Sequence, residues 1–295
     1  MNKRVSILIR SVAFAASVAA LAAFAPGSSR AEEEHTQPPR VNWSFAGGLG
    51  AFDPAQLQRG YKVYREVCSN CHSMKLLAFR NLADAGGPGF TAGQVQSLAA
   101  QYQIKDGPND QGEMFERPGR ASDHFPWAFA NAEAARVANG GALPPDMSVL
   151  AKARGYERGF PWFIIDALPF VAYQEKGPDY INAILNGYPE KPPKEFDLPA
   201  GMYYNKYMPG HKIAMPKPLS DGQVDFDDKS PNDVQSMSRD VSAFLMWAAE
   251  PQLVNRKQTG LRVLAFLIVF ATLLYFVKKR IWANVHADAL PGPAF

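Results

Sequence analysis

Two cysteines, Cys68 and Cys71, are all that 295 residues hold. Their number excludes a four-thiolate zinc or iron–sulfur site and a disulfide framework. Acidic residues are missing from positions 1–31, and only Asp288 stands in 256–295. The formal net charge of +3 is therefore an effect of the ends. Of 31 Lys and Arg, ten lie in those two stretches, and the 21 left in 32–255 face 27 acids, a net of −6. An acidic middle argues against nucleic acid as a partner and for a basic protein. The middle also lacks an apolar run able to span a membrane, because Phe160–Val171 is short and broken by Pro161 and Pro169. No internal repeat is present. Pro and Gly are plentiful, at 24 and 23, and with 47% apolar residues they describe a loop-rich fold around an ample core.

The two cysteines belong to Cys68-Ser69-Asn70-Cys71-His72. Cys-x-x-Cys-His is the pattern of covalent c-type haem attachment. Thiols three residues apart can reach the two vinyl groups on one porphyrin edge and form thioethers, and His72 then falls under the iron as proximal ligand. A redox Cys-x-x-Cys needs a βαβ setting that the sequence does not offer, and a zinc knuckle lacks its second half. Residues 1–31 agree with haem. Lys3, Arg4 and Arg10 accompany an apolar run from Ser11 to Ala25, Pro26 breaks it, and Ser29-Arg30-Ala31 fits a small-x-small cleavage site. This reads as a secretory signal removed after Ala31, and bacterial c-type attachment takes place outside the cytoplasm.

Asp53 as N-cap and Pro54 at the first helical position predict a helix, with Leu57, Tyr61, Tyr64 and Cys68 at helical spacing. Gly60 lets a second helix approach closely, and Tyr64 fills the space beside it. Ser236–Glu250, stopped by Pro251, is the predicted mate, with Val241, Phe244, Leu245 and Ala248 on one face. Shorter helices are predicted at 91–104, 130–139, 149–155 and 179–187, an extended arm at 32–51 and coil at 191–208. A short coil after Pro251 leads to Leu261–Val277, 17 residues that span a membrane once Arg262 snorkels. Lys278-Lys279-Arg280 then place the C-terminus inside. The chain thus divides into a signal at 1–31, a periplasmic haem domain at 32–255, an anchor with flanks at 256–282 and a cytoplasmic tail at 283–295, in a bacterial inner membrane.

A thioether is the usual partner opposite His in electron-transfer cytochromes, and it favours Fe(II). Met215, in His211-Lys212-Ile213-Ala214-Met215-Pro216, is one candidate, with His211 and His124 as competitors. Asn139–Asp146 is a Gly/Pro segment suited to lie flat against a haem edge, with carbonyls free for the second nitrogen of His72. A plain loop is an equal reading of that composition. Asp221, Asp225, Asp227 and Asp228, with Glu113 and Glu116, are available to a basic partner or are simply solvated.

These segments together resemble the cytochrome c1 family, the haem-bearing subunits of ubiquinol–cytochrome c oxidoreductases, in its bacterial form. The resemblance runs through Arg59-Gly60-Tyr61-Lys62-Val63-Tyr64, the haem motif with Ser73-Met74, Glu133-Ala134-Ala135-Arg136 and Gly141-Ala142-Leu143-Pro144-Pro145-Asp146. It continues in Ala153-Arg154, Ile213-Ala214-Met215-Pro216, Trp247-Ala248-Ala249-Glu250-Pro251 and the C-terminal anchor. It implies a mainly α, loop-rich cytochrome c-type haem domain with one C-terminal transmembrane helix. It implies Met215 as sixth ligand, Arg154 as partner of a haem propionate, and Ala142, Leu143, Pro144 and Pro145 as haem wall. One covalent haem c, cytochrome b and Rieske iron–sulfur subunits, and a soluble cytochrome c are the implied cofactor and partners. The implied role is to pass one electron from the Rieske protein to the soluble cytochrome, with no catalysis by the chain alone. A membrane-anchored cytochrome c subunit of a terminal oxidase is the alternative, and a ligand-sensing haem protein with an open sixth position is a second.

Overall fold

The structure is a computed structural model and describes residues 36–156, 165, 176–189, 191, 193 and 196–287. The predicted secretory segment, the end of the predicted tail and nearly all of the apolar run at 160–171 lie outside those residues.

Helix α1, Pro54–Glu66, starts as its sequence demands: Asp53 Oδ1 accepts the N–H of Ala55 at 3.0 Å and Pro54 takes the first position. It buries Leu57, Tyr61, Val63 and Tyr64 against helix α6, Val234–Ala249, the predicted mate, which Asp233 caps through the N–H of Ser236. Gly60 marks the crossing. A Cβ there would lie 2.1 Å from the Asp240 carbonyl oxygen and 2.7 Å from Phe244 Cβ, so only glycine lets the two backbones meet. Tyr61 and Tyr64 flank the crossing, each within 6 Å of the Phe244 ring centre. Asp240 is buried at 5% exposure and accepts from Arg59 Nε at 2.7 Å and Gln56 Nε2 at 3.1 Å. Burial lifts its carboxyl above the usual range, and Arg59 offsets part of that.

The small elements follow. Thr91 and Gln94 form a capping box for α2, Ala92–Ala99. The predicted helix stops there, five residues short of Ile104, because Gln103–Asp106 instead forms β1, paired antiparallel with β2, Phe115–Pro118. The pairing satisfies the backbone that the helix would have used, and it leaves Tyr102 against Phe79 at 5.2 Å. Asn131 caps α3, Ala132–Ala138; α4 is Leu150–Ala153; α5 is Lys176–Asn186, beginning three residues before the predicted start at Asp179. Within the expected coil, Tyr203–Tyr204 forms β3, paired with β4, Lys212–Ile213.

Two expectations change. The extended arm carries core residues: Trp43 and Phe45 are buried, and Asp179 on α5 accepts from Trp43 Nε1 at 2.8 Å and from the N–H of Val41 at 3.1 Å. The short coil after Pro251 is nearly absent: three residues, Glu250, Pro251 and Gln252, join α6 to α7, which runs from Leu253 to Ala287. Ion pairs brace this junction. Glu250 meets Lys152 of α4 at 2.9 Å and Arg256 of α7 at 2.5 Å, Leu253 is fully buried, and Lys257 Nζ reaches the Phe45 carbonyl at 2.6 Å. α7 is long and apolar enough to cross a membrane, and none of its apolar window is buried.

Truncation should respect that brace. A chain ending at Gly260 should sediment as a water-soluble domain without detergent. A chain ending at Asn255 should also be soluble but should melt a few degrees lower, because the Arg256 and Lys257 contacts, together about 1–2 kcal/mol, are lost. Equal melting of the two, by calorimetry, would show that the brace contributes nothing.

Candidate functional site

The attachment motif is a local consequence of how α1 ends. After Val67 the chain tightens into a 3₁₀ turn over Cys68–Asn70, and the N–H groups of Cys71 and His72 both point to the Cys68 carbonyl, at 3.1 and 2.9 Å. The two residues between the cysteines cap the helix: Ser69 Oγ donates to the Arg65 carbonyl at 2.7 Å and Asn70 Nδ2 to that of Glu66 at 3.1 Å. Both cysteines are half-buried. Desolvation and then the neighbouring Cys71 push the Cys68 thiol up to about 12. Among the described residues no group of three or more His, Cys, Asp or Glu could hold a bare metal ion.

His72 is buried at 9% exposure, with Nδ1 2.8 Å from the Pro145 carbonyl oxygen. A carbonyl only accepts, so Nδ1 carries the proton and Nε2 keeps its lone pair. Desolvation holds the ring below its ordinary value, partly countered by the Pro145 bond and Asp146, so the imidazole is neutral at pH 7. A neutral ring with Nδ1 anchored is the form that an iron ligand requires. The wall segment supplying that carbonyl turns at Gly140 and Gly141, both in the left-handed region at φ 61° and 92°. Beyond them Ala142 and Pro144 are half-buried, while Leu143 and Pro145 are exposed.

Met215 is half-buried and packs against the same apolar core as Cys68. β4 and Pro216 frame it, and Tyr188 Oη donates to its carbonyl at 3.0 Å. The His211 ring stacks on Tyr204 at 5.5 Å with Nδ1 on the Asn205 carbonyl, and His124 lies exposed beside its backbone bridge to Ala78. Arg154 is exposed just past α4, near enough to lower the Tyr180 phenol, which burial otherwise raises. Two thiols at the spacing of the porphyrin vinyl groups, an imidazole anchored through Nδ1, and a thioether packed on the same core as Cys68 fit a covalently bound haem.

The acidic loop is less free than its sequence implies. Asp221 accepts the N–H of Val234 at 2.7 Å, Asp228 pairs with Arg59 at 3.1 Å, and Asp225 accepts from Asn232 at 3.5 Å. Asp227 has a fully exposed side chain 3.4 Å from Lys62. Glu113 and Glu116 are exposed on the β1–β2 hairpin. Sequence reasoning missed Trp127, whose Nε1 donates to the Cys71 carbonyl at 3.0 Å beneath the ammonium of Lys75, 4.4 Å from its ring. It also missed Tyr188 and Asp146. None of them carries a local signal, because each acts on a distant segment.

The Cytochrome C1 family matches residues 43–285. The chain belongs to the cytochrome c1 family. It is 58% identical over 258 residues to a protein named Cytochrome b/c1 from Bradyrhizobium diazoefficiens, a match that covers 88% of this chain but only 37% of that longer relative. It is 45% identical over 275 residues to Cytochrome c1 of Blastochloris viridis, covering 92% of this chain and 96% of the relative. It is 39% identical over 276 residues to the mitochondrial Cytochrome c1-2, heme protein, of Solanum tuberosum, covering 93% and 97%. Membership agrees with the mainly helical, loop-rich fold and its apolar C-terminal helix, and with haem as the group that the Cys68–His72 turn fits.

Proposed function

We propose that the chain relays single electrons from a Rieske iron–sulfur protein to a soluble cytochrome c, within a quinol-oxidising membrane complex that also contains cytochrome b. When bound, the haem supplies a one-electron Fe(III)/Fe(II) couple. Cys68 and Cys71 would hold it, and His72 through Nε2 and Met215 through its sulfur would be its iron ligands, a pair suited to moving electrons rather than to substrate chemistry. Arg154 neutralises a propionate, and Ala142–Pro145 line the haem edge. The observation that carries the reading is the His72–Pro145 bond, which fixes the tautomer for iron ligation in a chain of the cytochrome c1 family. That family supports this role over the terminal-oxidase alternative, and the name Cytochrome b/c1 of the Bradyrhizobium relative supports assembly with cytochrome b. The haem domain stands in the periplasm of the bacterial inner membrane, with the Lys278-Lys279-Arg280 end of α7 toward the cytoplasm.

The acceptor docks on the acidic loop, chiefly at Asp225 and Asp227, while Asp221 and Asp228 shape that loop through Val234 and Arg59. Exposed charges at a rim act on encounter more than on affinity. With a Debye length of about 10 Å at 0.1 M salt, the second-order rate of electron transfer to a basic cytochrome c should fall steeply as salt rises. Asp225→Asn with Asp227→Asn should slow it at low salt and flatten the dependence, with the haem spectrum unchanged. A rate that ignores salt, or climbs with it, would exclude acidic docking. A complex purified from membranes that does not reduce cytochrome c with quinol would exclude the relay itself.

A further inference from the structure

The haem turn and the haem wall are separate in sequence, and one carboxylate accepts two of the bonds that join them. Asp146 follows Pro145 directly. Its Oδ2 accepts from Ser73 Oγ at 2.7 Å and from the N–H of Lys75 at 2.9 Å, and its Oδ1 accepts the N–H of Ser148 at 2.9 Å. Two further bonds run alongside: the N–H of Met147 to the Ser73 carbonyl at 2.8 Å, and the N–H of Leu76 to Ser148 Oγ at 3.0 Å. The carboxylate thus ties residues 73–75, just after the iron ligand, to residues 146–148, just after the carbonyl that orients it.

We propose that Asp146 is the positioning residue of the proximal ligand: it holds the Pro145 carbonyl on His72 Nδ1 and so sets the donor strength of the imidazole. This rests on the reading of His72 as iron ligand. A His ligand whose second nitrogen is held by an acceptor is more basic, and such outer partners are worth about 10–100-fold in ligand function when removed. A more basic imidazole favours Fe(III). Loosening the tie therefore weakens that preference and raises the reduction potential. A tenfold change corresponds to about 59 mV for a one-electron couple. Ser73 gives a charge-neutral way to loosen the same tie.

The test uses the full-length, haem-loaded protein in detergent, with three variants: Asp146→Ala, Asp146→Glu and Ser73→Ala. Two quantities are read: exchange of the His72 Nδ1 proton by NMR of histidine-labelled protein, and the potential by redox titration. Asp146→Ala should exchange that proton at least tenfold faster and shift the potential upward. Ser73→Ala should move both in the same direction by less, without any change of charge, and Asp146→Glu should restore part of the loss. Where Asp146→Ala does not load haem, Ser73→Ala and Asp146→Glu decide. Wild-type proton exchange in the variants overturns the proposal, and a raised potential with unchanged exchange assigns Asp146 a field effect only. A wild-type His72 resonance unmoved by haem loading would sink the ligation reading instead, a distinguishable result.

Discussion

Met215→Leu should leave a chain that still carries haem but has a reduction potential lower by on the order of 0.1 V or more, within the roughly 0.8 V that axial ligands span. Two features isolate the effect to the sulfur. Leucine and methionine are near in volume, and such swaps cost less than about 1.5 kcal/mol, so the half-buried site refills without collapse. The local frame does not depend on the side chain either. Tyr188 bonds the Met215 carbonyl, and β4 pairs with β3 through Lys212 and Ile213. The thioether's preference for Fe(II) is what is lost. The ferrous variant should also bind carbon monoxide, which the parent should not. Redox titration and a difference spectrum with carbon monoxide check both. An unchanged potential with no carbon monoxide binding would transfer the sixth position to another residue, with His211 first in line.

Gly60→Ala should be strongly damaging, because it forces apart the crossing of α1 and α6. The new methyl would have to share space with the Asp240 carbonyl oxygen and Phe244 Cβ, and neither is the movable end of a side chain. α1 and α6 must therefore separate. Separation thins the contacts of Tyr61 and Tyr64 with Phe244 and stretches the Arg59 and Gln56 bonds to a buried carboxylate. Overpacking costs about 1–3 kcal/mol and occasionally more, and a loss near about 3 kcal/mol is expected here because an ion pair is strained as well. Melting should fall by roughly 6–12 °C for a domain of this size. Gly93→Ala is the matched control: Gly93 lies in α2 with nothing within 4 Å of the added carbon, so alanine there should be neutral or stabilising. Equal melting of the two variants would disprove the close crossing.

What could be read from the sequence was written locally. Asp53 and Pro54 announce α1, the Val241/Phe244/Leu245/Ala248 face announces α6, and five consecutive residues announce the attachment turn. The missed features depend on pairs far apart in the chain. Asp146 meets Ser73 across 73 positions, Trp127 meets Cys71 across 56, and Trp43 meets Asp179 across 136. Nothing near Trp43 in the sequence distinguishes an arm lying on the surface from one threaded into the core. The helix predicted to reach Ile104 failed for a related reason. The segment at 103–106 has a partner at 115–118, and that pairing overrides propensity. The acidic loop shows the opposite case. Its composition was plain, but its partners Arg59 and Lys62 lie on α1, so the share of its charge left for a visitor could not be counted beforehand.

The three-residue connection between α6 and α7, braced through Glu250, bears on how the haem domain is held. A flexible leash of n residues lets its cargo wander over roughly 5–6 Å × √n, and the search volume grows accordingly. Here the leash is almost absent, and Lys152, Arg256 and Lys257 clamp what remains. A domain joined this closely to α7 has no flexible leash on which to sweep. In the proposed relay, travel would then fall to the partners, and the effective concentration that each achieves at the haem edge would be set by that partner's own tether or diffusion.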